Sequence, residues 1–220
     1  MKTDLMELIT VVIQVLQINI RWMTWNLFLA FIPLILSIWL FRSNRGRSWI
    51  WWLGFVVFYA FLPNAPYLVT DIIHLINDIR NIQSIWIITL ILIPTYFIVI
   101  MAGFQAYVIS LINLGHYLHR IGKSQWILWV EIITHGLNSI GIYWGRFLRF
   151  NSWDLVTKPS QILTQGIEEI LSKQASVIIT ITFIILCGLY WLTKRVNLAL
   201  VVNRNTNYQS RNSHINFPNP

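Results

Sequence analysis

A bundle of membrane-spanning α-helices is the fold the sequence predicts, on three observations. Of its 220 residues, 56% are hydrophobic and only 11% charged, whereas soluble domains carry about 25% charge. The mean hydropathy is +0.60. The apolar residues also gather into runs of helical length flanked by tryptophan and by Lys or Arg, as expected where aromatic rings sit at the headgroup level and cations reach the water beyond. The expected architecture is all-α and polytopic, with about five crossings, a proline-broken second helix and two interfacial amphipathic helices.

Residues 5–20 are apolar but carry Glu7, Thr10, Gln14, Gln17 and Arg21 at steps of three and four, which draws one polar stripe down a helix. This reads as a helix lying in the membrane interface, or as a short extra span with its stripe turned inward. No cleaved signal is expected at this end. Span one covers residues 22–41, with Trp22 and Trp25 at one end and Trp39 and Arg42 at the other.

Span two covers residues 48–75 and is interrupted at 63–66. Proline lacks the N–H a helix needs and clashes with the preceding turn, so Pro63 and Pro66 should end or bend the helix near Leu62. Asn64 could cap a second half-helix. Beyond the break, Asp71, His74 and Asp78 recur at i, i+3 and i+7 and share one helical face.

Span three covers residues 85–113, with a kink expected at Pro94 and a small-residue stripe of Thr95, Ala102, Ala106 and Ser110 for close helix packing. Span four covers residues 125–150. Glu131, His135, Asn138, Ile142, Gly145 and Arg149 follow steps of three and four, so nearly all its polar groups lie along one stripe, a face that cannot look at lipid. Gly141 and Gly145 form a GxxxG-type contact on a neighbouring face. Residues 159–173 read as a second interfacial helix and 175–193 as span five. From 196 to 220 the chain turns polar and is expected to be a disordered tail outside the 1–195 membrane domain.

The net charge of +8 suits a protein lying in the lipid bilayer against anionic headgroups. Nucleic acid is excluded as a partner, because the cations are scattered between spans rather than gathered on one surface. The single Cys187 allows no internal disulfide and no cysteine metal cluster. With five spans, Lys and Arg divide nine against seven, a thin margin that widens to nine against five if Arg146 and Arg149 serve a site, so the C-terminus is expected in the cytoplasm. The span-two motif and the end of span four then meet at the outer face.

The stretches Leu62-Pro63-Asn64-Ala65-Pro66-Tyr67-Leu68-Val69-Thr70-Asp71-Ile72-Ile73-His74-Leu75 and Gly145-Arg146-Phe147-Leu148-Arg149-Phe150-Asn151-Ser152-Trp153-Asp154 resemble the bacterial integral-membrane family called domain of unknown function 1361. The resemblance covers nearly all the spans. It implies a bacterial cell-membrane protein and no activity, so no catalytic residue is carried over from it.

Three roles are compatible with these residues. The first is structural: Asp71 and Asp78 pair with Arg146 and Arg149 to fix helix register, as in a scaffold or assembly factor. The second is an enzyme acting on an anionic or lipid-linked substrate, held by Asn64, Arg146, Arg149 and Asn151 while His74 and Asp71 act on it. No cofactor is predicted, although Asp71, His74 and Asp78 could hold a divalent metal. The third is a proton-coupled transporter relaying through Glu131, His135 and Asn138.

Overall fold

The computed structural model describes residues 2–43, 46–82, 84–150, 154–157, 160, 164, 166, 169–170 and 172–215. It is helical throughout, with no strand among the described residues. Helix α1 (Lys2–Ser37) ends in a π-helical turn, Ile38–Arg42. The bent second element consists of α2 (Trp49–Phe61), α3 (Asn64–Tyr67), a 3₁₀ turn (Leu68–Asp71) and α4 (Ile72–Asn81). The third begins with α5 (Ile85–Ile87), widens into a π-helical turn (Ile88–Leu92) and continues as α6 (Ile93–Arg120). Helix α7 (Ile127–Tyr143) ends in a π-helical turn at Trp144–Leu148. Helices α8 (Asp154–Thr157) and α9 (Lys173–Ile215) complete the chain.

Among the described residues four stretches are long and apolar enough to cross a membrane: Asn19–Arg42, Trp49–Asn81, Ile85–Arg120 and Lys173–Val201. The expected fifth, α7, is not among them. Its buried polar residues Glu131, Thr134, His135, Asn138 and Ser139 dilute its apolarity. It packs against α9 and against the bend of the second element.

Two boundaries differ from expectation. Residues 5–20 do not form a separate interfacial helix, because α1 runs unbroken through them into span one. No proline or glycine precedes Pro33 to stop it. Likewise α9 does not give way to disorder at 196 but continues to Ile215. Polar composition alone does not terminate a helix, and no Gly or Pro lies between Lys194 and Ile215. The helix expected over residues 159–173 falls largely outside the described residues. The kink expected at Pro94 takes the form of the π-helical turn just before Ile93.

The expected opening of span two is also smaller than an unwound break. Leu62 and Pro63 keep right-handed helical angles, and the ladder shifts register instead of opening. The Ala65 N–H bonds Leu62 O at 3.2 Å and the Tyr67 N–H bonds Pro63 O at 3.1 Å. Phe61 O is left without its usual partner and accepts from Asn64 Nδ2 at 2.9 Å. The Thr70 hydroxyl donates to Tyr67 O at 2.6 Å. A backbone loosened in lipid must be satisfied internally, and here polar side chains within the bend do it. Asn64 is therefore not the N-cap of a free half-helix; Pro63 occupies that place, with no side-chain cap bond.

Small residues let neighbours close on this bend. A Cβ added at Gly141 would lie 2.8 Å from the Pro63 ring, and one at Gly103 would lie 2.7 Å from Leu68 Cδ1 and 3.2 Å from Ala65 O. One at Gly145 would meet the Tyr67 ring at 3.2 Å. The core accordingly sits around Leu62, Ala65, Leu68, Phe104, Tyr107 and Val108, all at most 1% exposed. Gly141→Ala is expected to destabilise the protein by about 1–3 kcal/mol, the usual result of overpacking. Gly136→Ala, with nothing within 4 Å of the new Cβ, should be neutral or stabilising; unfolding midpoints in lipid nanodiscs compare the two.

Candidate functional site

Tyr67, Thr70, Asp71 and His74 are spaced i, i+3, i+4 and i+7 and fall on one side of the bent element. All four surround one side chain, Arg146, which the π-helical turn of Trp144–Leu148 presents to them. Arg146 Nη2 lies 2.5 Å from Asp71 Oδ1 and 2.6 Å from the Thr70 hydroxyl. Its Nε donates to the same hydroxyl at 3.2 Å, and its Nη1 lies 3.2 Å from His74 Nε2. The guanidinium plane covers the Tyr67 ring, with Cζ 4.3 Å from the ring centroid. A planar fork of donors over an aromatic face suits arginine and not lysine.

Helix α1 closes the other side of the cluster. Asn26 Nδ2 donates to Asp71 Oδ2 at 3.4 Å, and the Trp22 ring lies 5.0 Å from that of His74. Trp22 Nε1 bonds Asn19 Oδ1, whose amide in turn donates to Asp78 Oδ2 at 2.8 Å. Tyr96 of α6 donates to the same carboxylate oxygen at 2.9 Å. Asp71 is only 1% exposed, so its charge is compensated from within the protein. Four helical elements thus converge on two carboxylates and one arginine.

The structure therefore joins Asp71, His74 and Arg146, taken from stretches more than 70 residues apart, at one end of the bundle. It separates others from them. Asp78 belongs to the Asn19 and Tyr96 contacts, so Asp71, His74 and Asp78 do not converge. Among the described residues no three His, Cys, Asp or Glu side chains are placed to hold a metal. Arg149 is exposed and ends its helix with φ 57° and ψ 30°. It is a left-handed C-terminal position, closed by Phe150 N–H bonding Trp144 O at 3.2 Å. Among the described residues Arg146 alone pairs with Asp71. Asn64 is turned to its own backbone, and Asn151 lies outside the described residues.

Residues 25–187 match the family described as protein of unknown function (DUF1361). The chain belongs to this family. No curated protein and no solved structure gives a match. The DUF1361 match takes in both polar stretches and α7 between them.

The stripe of α7 is a second polar system, nearer the other end. Glu131 Oε1 accepts from Tyr190 at 2.6 Å and from Lys194 at 2.5 Å, both on α9. The Tyr107 hydroxyl of α6 lies 2.6 Å from His135 Nδ1, and the His135 ring packs 4.6 Å from that of Tyr190. Lys194, just beyond span five in the sequence, neutralises Glu131 here. Asn138 donates to Thr134 O at 2.6 Å.

Sequence reading of this DUF1361 chain missed Tyr67, Thr70, Asn19, Asn26, Trp22 and Tyr96. The signal was present for α1, where Asn19, Trp22 and Asn26 recur at i, i+3 and i+7. The left-handed conformation of Arg149 costs a residue that carries a Cβ about 1–2 kcal/mol. Arg149→Gly is expected to raise stability by up to about 1 kcal/mol; a fall in the unfolding midpoint would show that the arginine makes a stabilising contact.

Proposed function

We propose that this membrane protein has a structural or assembly role, in which the Asp71–Arg146 cluster fixes the packing of α1, the bent second element and α7 at the outer membrane face. The observation that carries the reading is mutual pairing: each Asp71 carboxylate oxygen accepts a bond, Oδ1 from Arg146 and Oδ2 from Asn26, and the guanidinium is shared among Asp71, Thr70, His74 and Tyr67. An enzyme gripping an anion needs a guanidinium edge directed at its substrate, and a general base needs an oriented partner and a free lone pair. Here those groups are spent on one another. Polar groups connected in this way specify a packing register more than they add stability.

In this proposal α7 is the fifth crossing, its polar stripe covered by α6 and α9. The membrane is the bacterial cell membrane, with the C-terminus in the cytoplasm on the slight excess of cations at that end. Anionic headgroups meet the basic residues Arg42, Arg47 and Arg120. Of these, Arg42 and Arg47 also bond Asn113 and Tyr117 of α6, at 2.7 Å each.

Removing one partner of a buried pair strands the other charge. Arg146→Leu is therefore expected to destabilise the membrane-inserted protein by about 3 kcal/mol or more. His74→Ala, which removes an exposed neighbour, should change stability by less than about 0.5 kcal/mol. Unfolding in nanodiscs, followed by the loss of protease resistance, measures both. An Arg146→Leu protein as stable as the wild type would overturn the structural role.

A further inference from the structure

A cavity of about 590 Å³ lies between α1, the bend of the second element and α7, within the size range of small-molecule pockets. Its walls combine three features. None of the residues lining it is Lys, Arg, His, Asp or Glu. Trp25, Val56 and Leu137, one from each of three helices, both line it and are more than half exposed on the apolar flank of the bundle, the flank that faces hydrocarbon in a membrane. And Asn138, which lines it, is 1% exposed and carries the single buried side-chain atom without a hydrogen-bond partner among the described residues, Oδ1.

The amide of Asn138 cannot be turned around to relieve this. Its nitrogen sits 2.6 Å from Thr134 O, and a carbonyl oxygen only accepts, so the acceptor must be the other atom. A buried acceptor left without a donor is costly, and it marks a place where something absent from the structure donates. A charged occupant would find no counter-charge on these walls. An occupant arriving from the bilayer passes between Trp25, Val56 and Leu137 and brings an apolar body with it.

We infer that the cavity binds an uncharged lipid bearing a hydroxyl donor, which enters from the bilayer and gives its O–H to Asn138 Oδ1. The Tyr59 and Tyr67 rings, which also line the cavity, flank the apolar body. Tyr67 is the ring on which Arg146 rests, so the cluster that fixes the helices also fixes one wall of the cavity. The inference does not depend on the structural role proposed above, since the acceptor it rests on, Asn138 Oδ1, lies outside the Asp71–Arg146 cluster.

The test is equilibrium binding of radiolabelled farnesol to the full chain in phosphatidylcholine nanodiscs, with three unlabelled competitors. Farnesyl methyl ether lacks the donor, farnesyl phosphate adds charge, and dioleoylglycerol carries the hydroxyl on an acyl lipid. Saturable binding is expected, with the ether and the phosphate each competing about tenfold or more weakly than farnesol, the value of one hydrogen bond made in a buried site. Competition by dioleoylglycerol would assign an acylglycerol source, and its failure a prenyl one. Asn138→Leu should bind farnesol and the ether alike. Ala60→Phe, which narrows the cavity from α2, should weaken both and serves where the Asn138 variant does not fold. Absence of saturable binding, which leaves water as the donor, or equal competition by the ether in the wild type, would overturn the inference.

Discussion

The contact between Arg146 and the side of the bent second element that carries Asp71 is the constraint on which the rest of the structure depends. Two prolines shift the hydrogen-bond ladder of that element, and the shift sets Tyr67, Thr70, Asp71 and His74 around one point. On α7, a π-helical turn adds a residue to the last turn and carries Arg146 to that point. Each is held by the other: the glycines of α7 close on Pro63 and Tyr67, and the guanidinium completes the contact.

This arrangement explains why the two ends of the bundle differ. At the Arg146 end, ions and amides from α1, α4, α6 and α7 interlock, with Asn19, Asp78 and Tyr96 extending the network. At the other end, Arg42, Asn113 and Ser37 link the ends of spans one and three, while aromatic rings such as Phe41, Trp51 and Phe58 fill the space between. The Glu131–Lys194 pair ties α7 to α9 between them. Polar contacts of this kind individually contribute modestly in membranes, so the register they impose matters more than their summed energy.

Much of this was legible in the sequence, and the reasons are specific. The spans follow from apolar runs, the bend from Pro63 and Pro66, and the meeting of Asp71 and His74 with Arg146 from antiparallel connectivity that brings residue 71 and residue 146 to the same end. What failed to show was of four kinds. Continuity of α1 and α9 was hidden by changes of composition that do not stop a helix. The difference between Arg146 and Arg149, three residues apart, is decided by a π-helical turn and a left-handed cap that no residue type announces. Tyr67 and Thr70 looked like ordinary lining of an apolar span, because their role appears only once the 3₁₀ turn of Leu68–Asp71 brings them beside Asp71. The orphan Oδ1 of Asn138 was likewise invisible in a stripe whose other members find partners.

The most direct measurement is the coupling energy between Asp71 and Arg146. It comes from unfolding free energies of the wild type, Asp71→Leu, Arg146→Leu and the double variant in nanodiscs. Residues in contact couple by about 0.5–3 kcal/mol. The account predicts a value above that range, of about 3 kcal/mol or more, with the double variant more stable than either single one because no charge is then stranded. Additive losses would contradict it, since they would mean that the arginine and the carboxylate do not hold these helices through each other.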